Sequence, residues 1–146
     1  MRMAVIVSVA ASVGACVDVN GGAVEVSWTI RTSDGTSSNC ADSHVGSVEL
    51  CMQACDTLTD GACDDPNPPT CSTSWSCEDY RGTTRFDVSP GRKKLWIQVI
   101  CSSGSAANVR VPDPTVSLVR FGEVTDLRTQ LIVVETGVTP CGFVNR

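Results

Sequence analysis

The residues of this chain most capable of chemistry are its nine cysteines, at positions 16, 40, 51, 55, 63, 71, 77, 101 and 141. Thiols at such density can ligate a metal, act as nucleophiles or pair as disulfides. A structural zinc or iron–sulfur site needs closely paired ligands, C-x-x-C above all, whereas successive cysteines from Cys51 to Cys77 are separated by three, seven, seven and five residues. The single histidine, His44 in "ADSHVGS", has no nucleophile motif around it. Disulfides formed in an oxidising compartment are the reading that this pattern supports. Oxidised cysteines cannot serve as thiolate nucleophiles. The carboxylate pairs Asp64 with Asp65 and Glu78 with Asp79 are sequence neighbours, not an acid and a base poised across a cleft. The chain therefore reads as non-enzymatic, with no cofactor.

Hard-cation chemistry has one candidate. In "DTLTDGACDD", Asp56, Asp60, Asp64 and Asp65 offer oxygen ligands for calcium. The stretch departs from an EF-hand loop, because Leu58 occupies a ligand position and Asn67 stands where a bidentate glutamate belongs. A solvated acidic loop is the stronger expectation. Charge is unevenly spread: residues 34–79 hold nine Asp or Glu and no Lys or Arg, while residues 81–146 hold nine Lys or Arg against five acids. A net charge of −5 gives nucleic-acid binding no electrostatic support. Arg92, Lys93 and Lys94 follow an "SPG" turn and read as a solubilising start to a strand. Trp75 and Trp96 are candidates for stacking on a sugar, against the commoner role of covering a sheet face, and Trp28 reads as core.

Nine is odd, and the first cysteine closes a distinctive stretch. Arg2 is a minimal positive start, Ala4 to Val13 is an apolar run, and Val13, Gly14 and Ala15 are the small residues that precede a cleavage point. That run is far short of the roughly 20 residues a membrane-spanning helix needs. Residues 1–15 are accordingly expected to be a signal peptide, cut between Ala15 and Cys16. "VGAC" resembles the lipobox of bacterial lipoproteins, which implies that Cys16 receives a diacylglyceryl thioether and becomes the new N-terminus. An ordinary signal peptide with cysteine in the first mature position is the alternative. Parity separates the two, because lipidating Cys16 leaves eight cysteines, enough to close four disulfides. Acyl chains contribute about 0.8 kcal/mol per buried methylene, so two or three of them anchor stably. Val17 in the second mature position, rather than Asp, favours the outer membrane.

These residues need elements to hold them. "VDVNGG" reads as a flexible tether, giving a lipid-anchored segment 16–22. Period-two patterns follow: in "AVEVSWTIRT", Val24, Val26, Trp28 and Ile30 share one face while Glu25, Ser27, Thr29 and Arg31 share the other. "SVELCM" repeats the alternation. Residues 53–74 break it, with three prolines and one leucine, so this Cys-rich insertion needs staples. Strands return in "TTRFDVS", "KKLWIQVIC", "NVRVP", "TVSLVRF" and "RTQLIVVE". Seven or eight turn-separated strands without an amphipathic helix predict one all-β domain over 23–146, an antiparallel β-sandwich.

The ordered stretches "VEVSWTIRTSDG", "NCADSHVGSVEL", "SWSCEDYRG", "FDVSPGRKKLWIQVICSSG" and "GEVTDLRTQLIVVE" resemble the layout of lipoproteins of predatory, myxobacteria-like Gram-negative bacteria. Those bodies are immunoglobulin-like or transthyretin-like sandwiches, similar to carboxypeptidase regulatory-like domains. "SPGRKKLWIQV" resembles the G-x-Y-x-V strand start of that group, with Lys or Leu at the tyrosine position. The resemblance implies architecture and location, and a Cys40–Cys77 bridge. Cys101 lies on the strand face of Leu95, Ile97 and Val99, and pairing it with Cys141 would pin the C-terminus. Cys51 points away from Val48 and Leu50, toward the insertion, leaving Cys51, Cys55, Cys63 and Cys71 to pair among themselves in an order that spacing does not decide. The expected function is a lipid-anchored envelope protein, a structural or binding module for a protein or glycan. The alternative is a secreted calcium- or glycan-binding module working through its acidic loop, with a small secreted enzyme or protease inhibitor a weaker third.

Overall fold

The computed structural model describes residues 18–55, 58–59, 62–63 and 68–141. Ten strands are formed: β1 (Ala23–Thr32), β2 (Ser37–Ser38), β3 (Val45–Ala54), β4 (Leu58–Thr59), β5 (Ala62–Cys63), β6 (Thr70–Ser76), β7 (Arg81–Thr83), β8 (Gly91–Cys101), β9 (Thr115–Val119) and β10 (Val124–Val134). Eight of them build a β-sandwich of two four-stranded sheets, and β4 and β5 form a separate hairpin. In the first sheet β10 pairs one edge of β1, and β2 and β7 share the other edge. The second sheet runs β6-β3-β8-β9. All pairings are antiparallel except β1 with β10, which is parallel over nine residue pairs. A parallel pair needs a long crossover, and here that crossover is the whole second sheet.

Alternation explains which side chains lie inside. Val24, Val26, Trp28 and Ile30 of β1 face Val48 and Leu50 of β3, Leu95, Ile97 and Val99 of β8, and Leu127, Ile132 and Val134 of β10 in one buried cluster. Each fully buried aliphatic side chain contributes about 1.5–3 kcal/mol over its exposed state. The Trp28 indole donates from Nε1 to the Cys77 carbonyl at 2.9 Å, which satisfies its one polar atom within the core. Its ring stacks on Trp75, with centroids 6.3 Å apart. The same alternation overturns the solvent-facing reading of one lysine. Arg92 is exposed, but Lys93 shares the inward face of Leu95 and is only 7% exposed, with its ammonium donating to Ser89 Oγ at 3.0 Å.

Three sequence expectations shift. Past Thr83, which ends β7, "TTRFDVS" is a connection bridged to the first sheet at Gly22↔Val88, and "NVRVP" is one bridged at Arg110↔Val133. Ala107 N–H still donates to the Val99 carbonyl, so the segment 106–111 leaves the second sheet and joins the first, closing one side of the sandwich. Residues 70–74, expected within the insertion, belong to β6, whose ladder with β3 supplies the order they cannot create alone. Finally, Gly21 and Gly22 are buried rather than flexible. A Cβ on Gly21 would stand 2.3 Å from the Val88 carbonyl oxygen, and one on Gly22 would stand 2.4 Å from that of Arg120. They are glycines because backbone approaches them closely on both sides.

The edges of the first sheet are shaped by short polar devices. Between β1 and β2, Asp34 Oδ1 accepts from the Thr32 hydroxyl at 2.5 Å and from Thr36 N–H at 2.9 Å. These bonds, that of Thr32 foremost, hold the Asp34 carboxyl below the usual carboxylate range. In β10 the register slips between the Glu25 and Ser27 pairings, where Arg128 sits at φ +59° and its N–H meets Asp126 Oδ1 at 2.7 Å, forming a bulge.

Candidate functional site

Four disulfides consume all eight cysteines from Cys40 onward. Cys40 is bonded to Cys77 and Cys101 to Cys141, with Cα atoms 5.8 and 5.6 Å apart, as the resemblance and the strand face respectively imply. The four cysteines of the insertion pair among themselves, Cys51 with Cys71 and Cys55 with Cys63. Cys51–Cys71 is a cross-strand bridge on the outer face of the second sheet, beside Trp96 in the register of β3 with β8. Gln98 Oε1 lies 3.7 Å from each of its sulfurs.

The other predicted positions are not gathered into one site. Cys16 and the leader lie outside the described residues, as do Asp56, Asp60, Asp64 and Asp65. Among the described residues no three His, Cys, Asp or Glu side chains come together as a metal site. His44 is an exposed loop residue at φ +54° whose carbonyl accepts from Ser102 N–H at 3.0 Å. Glu78 and Asp79 are exposed on a 3-10 turn, Cys77–Asp79. Trp75 is half-buried and packs against the core, its ring stacked on Trp28. Trp96 is half-buried on the outer face, lining a shallow cavity of about 230 Å³ with Gln98, Ala106, Val109 and Val111. Small-molecule sites usually enclose about 300–1,000 Å³.

Two of the three larger hollows among the described residues were not legible in the sequence, the third being a space of about 340 Å³ beside His44 and Pro140. One, of about 580 Å³, is lined by Gln53, Thr70, Ser72, Asp87 and the buried Lys93. The other, of about 480 Å³, lies on the first sheet between Arg31, Arg110, Val111, Leu131 and Val133 and is mainly apolar. Its Arg110 is ion-paired with Glu135. Alternation could have flagged Lys93, since it falls in phase with Leu95; the Arg110 wall required knowing that 106–111 changes sheets.

The end of the sandwich where the described chain begins is held by a set of backbone hydrogen bonds. Asn20 N–H donates to the Phe86 carbonyl at 2.8 Å, and Gly22 exchanges two backbone hydrogen bonds with Val88 at 2.9 and 3.1 Å. On the other side, Gly122 N–H donates to the Gly21 carbonyl and Ala23 N–H to the Glu123 carbonyl, both at 2.9 Å. Residues 20–23 are thus clamped between the 86–88 segment and the β9–β10 turn. The insertion leaves and returns at the same end: Cys55 N–H donates to the Arg92 carbonyl at 2.9 Å, and Thr70 pairs with Met52. No helix among the described residues is long and apolar enough to cross a membrane. No protein-family model, no curated protein and no solved structure matches this chain.

Proposed function

We propose that this chain is a non-enzymatic bacterial envelope lipoprotein: a disulfide-stapled β-sandwich exported through its leader, acylated at Cys16 and held at the outer membrane as a structural or binding module. The observation that carries this reading is the pairing of the other eight cysteines with one another. They leave Cys16 no thiol partner within the chain, and a diacylglyceryl thioether is a chemical fate that uses a lone cysteine preceded by "VGA". The bridges also agree with an oxidising compartment. Oxidation leaves those eight sulfurs no thiolate for nucleophilic catalysis.

The test is intact-mass spectrometry of the protein from cells fed an alkyne fatty acid, before and after reduction. The expected result is a label and a diacylglyceryl mass on the chain beginning at Cys16, together with a gain of eight hydrogens on reduction of the four bridges. Cys16→Ser should abolish the label and release the protein from the membrane fraction. An exported wild-type chain without acyl mass would overturn the proposal.

A further inference from the structure

Eight large hydrophobic side chains are strongly exposed among the described residues; four of them, Val116, Leu118, Phe121 and Val124, fall on or beside the β9–β10 turn, and Val19 precedes the clamped Asn20. Phe121 is 63% exposed, Leu118 50% and Val124 49%. Such a concentration marks a contact surface. Hydrogen bonding holds it beside the entering chain, because Gly122 N–H meets the Gly21 carbonyl and Val124 lies opposite Ala23 in the parallel register. On the neighbouring strand Arg92 stands opposite Leu118 and Lys94 opposite Val116, and Arg120 adjoins Phe121. The acids of this end include Asp18, Asp87 and Glu123, of which Glu123 is already paired with Arg120 at 3.6 Å.

We infer that this end docks on the lipid surface itself, with Phe121 and Leu118 inserted at the boundary of headgroups and acyl chains. The inference rests on the Cys16 anchor. From Cys16 to Asn20 there are four residues, which span at most about 14 Å even when fully extended. Asn20 is fixed to Phe86, and the β9–β10 turn is fixed to Gly21. An acyl chain on Cys16 therefore confines the turn to the immediate neighbourhood of the interface. Exposed apolar side chains held there gain by leaving water. Arg92, Lys94 and Arg120 can keep their charges at phosphate level while their alkyl stems lie along the apolar surface. A partner protein would compete for the same residues, and β9, which ends its sheet, would be the natural site for a second copy to add a strand.

The experiment places a benzophenone-bearing residue at Phe121, and separately at Ser103 in the turn after β8 at the opposite end. Each acylated full-length chain is reconstituted in phosphatidylethanolamine–phosphatidylglycerol vesicles and irradiated. The expected result is lipid adducts from position 121 and none from position 103, lost from position 121 when Leu118→Ser and Val124→Ser are added to a chain whose four bridges remain intact. Acyl mass on Cys16 with no lipid adduct at position 121, or with a crosslink to a second copy instead, overturns the docking and leaves the anchor standing. Absence of acyl mass overturns the anchor, and the docking with it.

Discussion

At the scale of single residues, Gly82 and Trp75 are the most tightly coupled pair. A Cβ on Gly82 would lie 2.0 Å from Cδ2 of the Trp75 ring. The ring cannot retreat freely, because it stacks on Trp28, whose indole is hydrogen-bonded to Cys77. Gly82→Ala is therefore expected to destabilise by about 1–3 kcal/mol, the usual cost of overpacking. The measure is the urea midpoint at unchanged slope. In a Trp75→Leu background the same substitution should cost much less, giving a clear coupling in a double-mutant cycle. Legibility at this scale was divided. The inward stripe of Val24, Val26, Trp28 and Ile30 could be read from period-two spacing, because a strand's side chains alternate whatever else surrounds it. Gly21 and Gly22 could not. A glycine demanded by a carbonyl pressing on its Cα looks the same in sequence as a glycine that loosens a linker. The roles of Trp75 and Trp96 depended likewise on what the opposing strands bring to them.

Among the elements, the disulfides differ in what they hold. Cys40–Cys77 closes 37 residues and ties the loop before β3 to the 3-10 turn, with both sulfurs in the core. Cys55–Cys63 closes only 8 and holds the small hairpin. Chain entropy alone gives about 3.8 kcal/mol for the first and about 2.5 for the second. Replacing Cys40 and Cys77 with Ala also leaves a void between the sheets, so the loss should exceed 4 kcal/mol by the usual cavity costs. Replacing Cys55 and Cys63 should leave the core transition nearly in place and raise hydrogen exchange only in β4 and β5. Denaturant unfolding and exchange mass spectrometry check both. The long strands β1, β3, β8 and β10 were legible from alternation and length. The changeover at 106–111 and the bulge at Arg128 were not, because a single bridge leaves no periodic trace. Of the cysteine pairs, Cys40–Cys77 was implied by the resemblance and Cys101–Cys141 by a strand face, while the order within the remaining foursome awaited the β3–β6 register.

On the scale of the whole molecule, the sandwich has a preferred end. The clamp at residues 20–23, the β9–β10 turn and the insertion's exit lie together at one pole, and the turn holding Ser103 lies at the other. The pole was not legible in the sequence, because Asn20, Phe86 and Gly122 lie far apart along the chain and come together only in the clamp. The parallel pairing of β1 and β10 bears on mechanics. Tension applied between Asn20 and Glu135, just past β10 and ahead of the Cys101–Cys141 bridge, pulls these two strands in opposite directions along their length. It loads their nine paired positions side by side in shear, whereas a hairpin pulled from its open end would yield one hydrogen bond at a time. Single-molecule stretching through these points should show one abrupt rupture, and a staircase of small releases would contradict it. Load passed between the first and last strands of the fold would thus be met by the whole ladder at once.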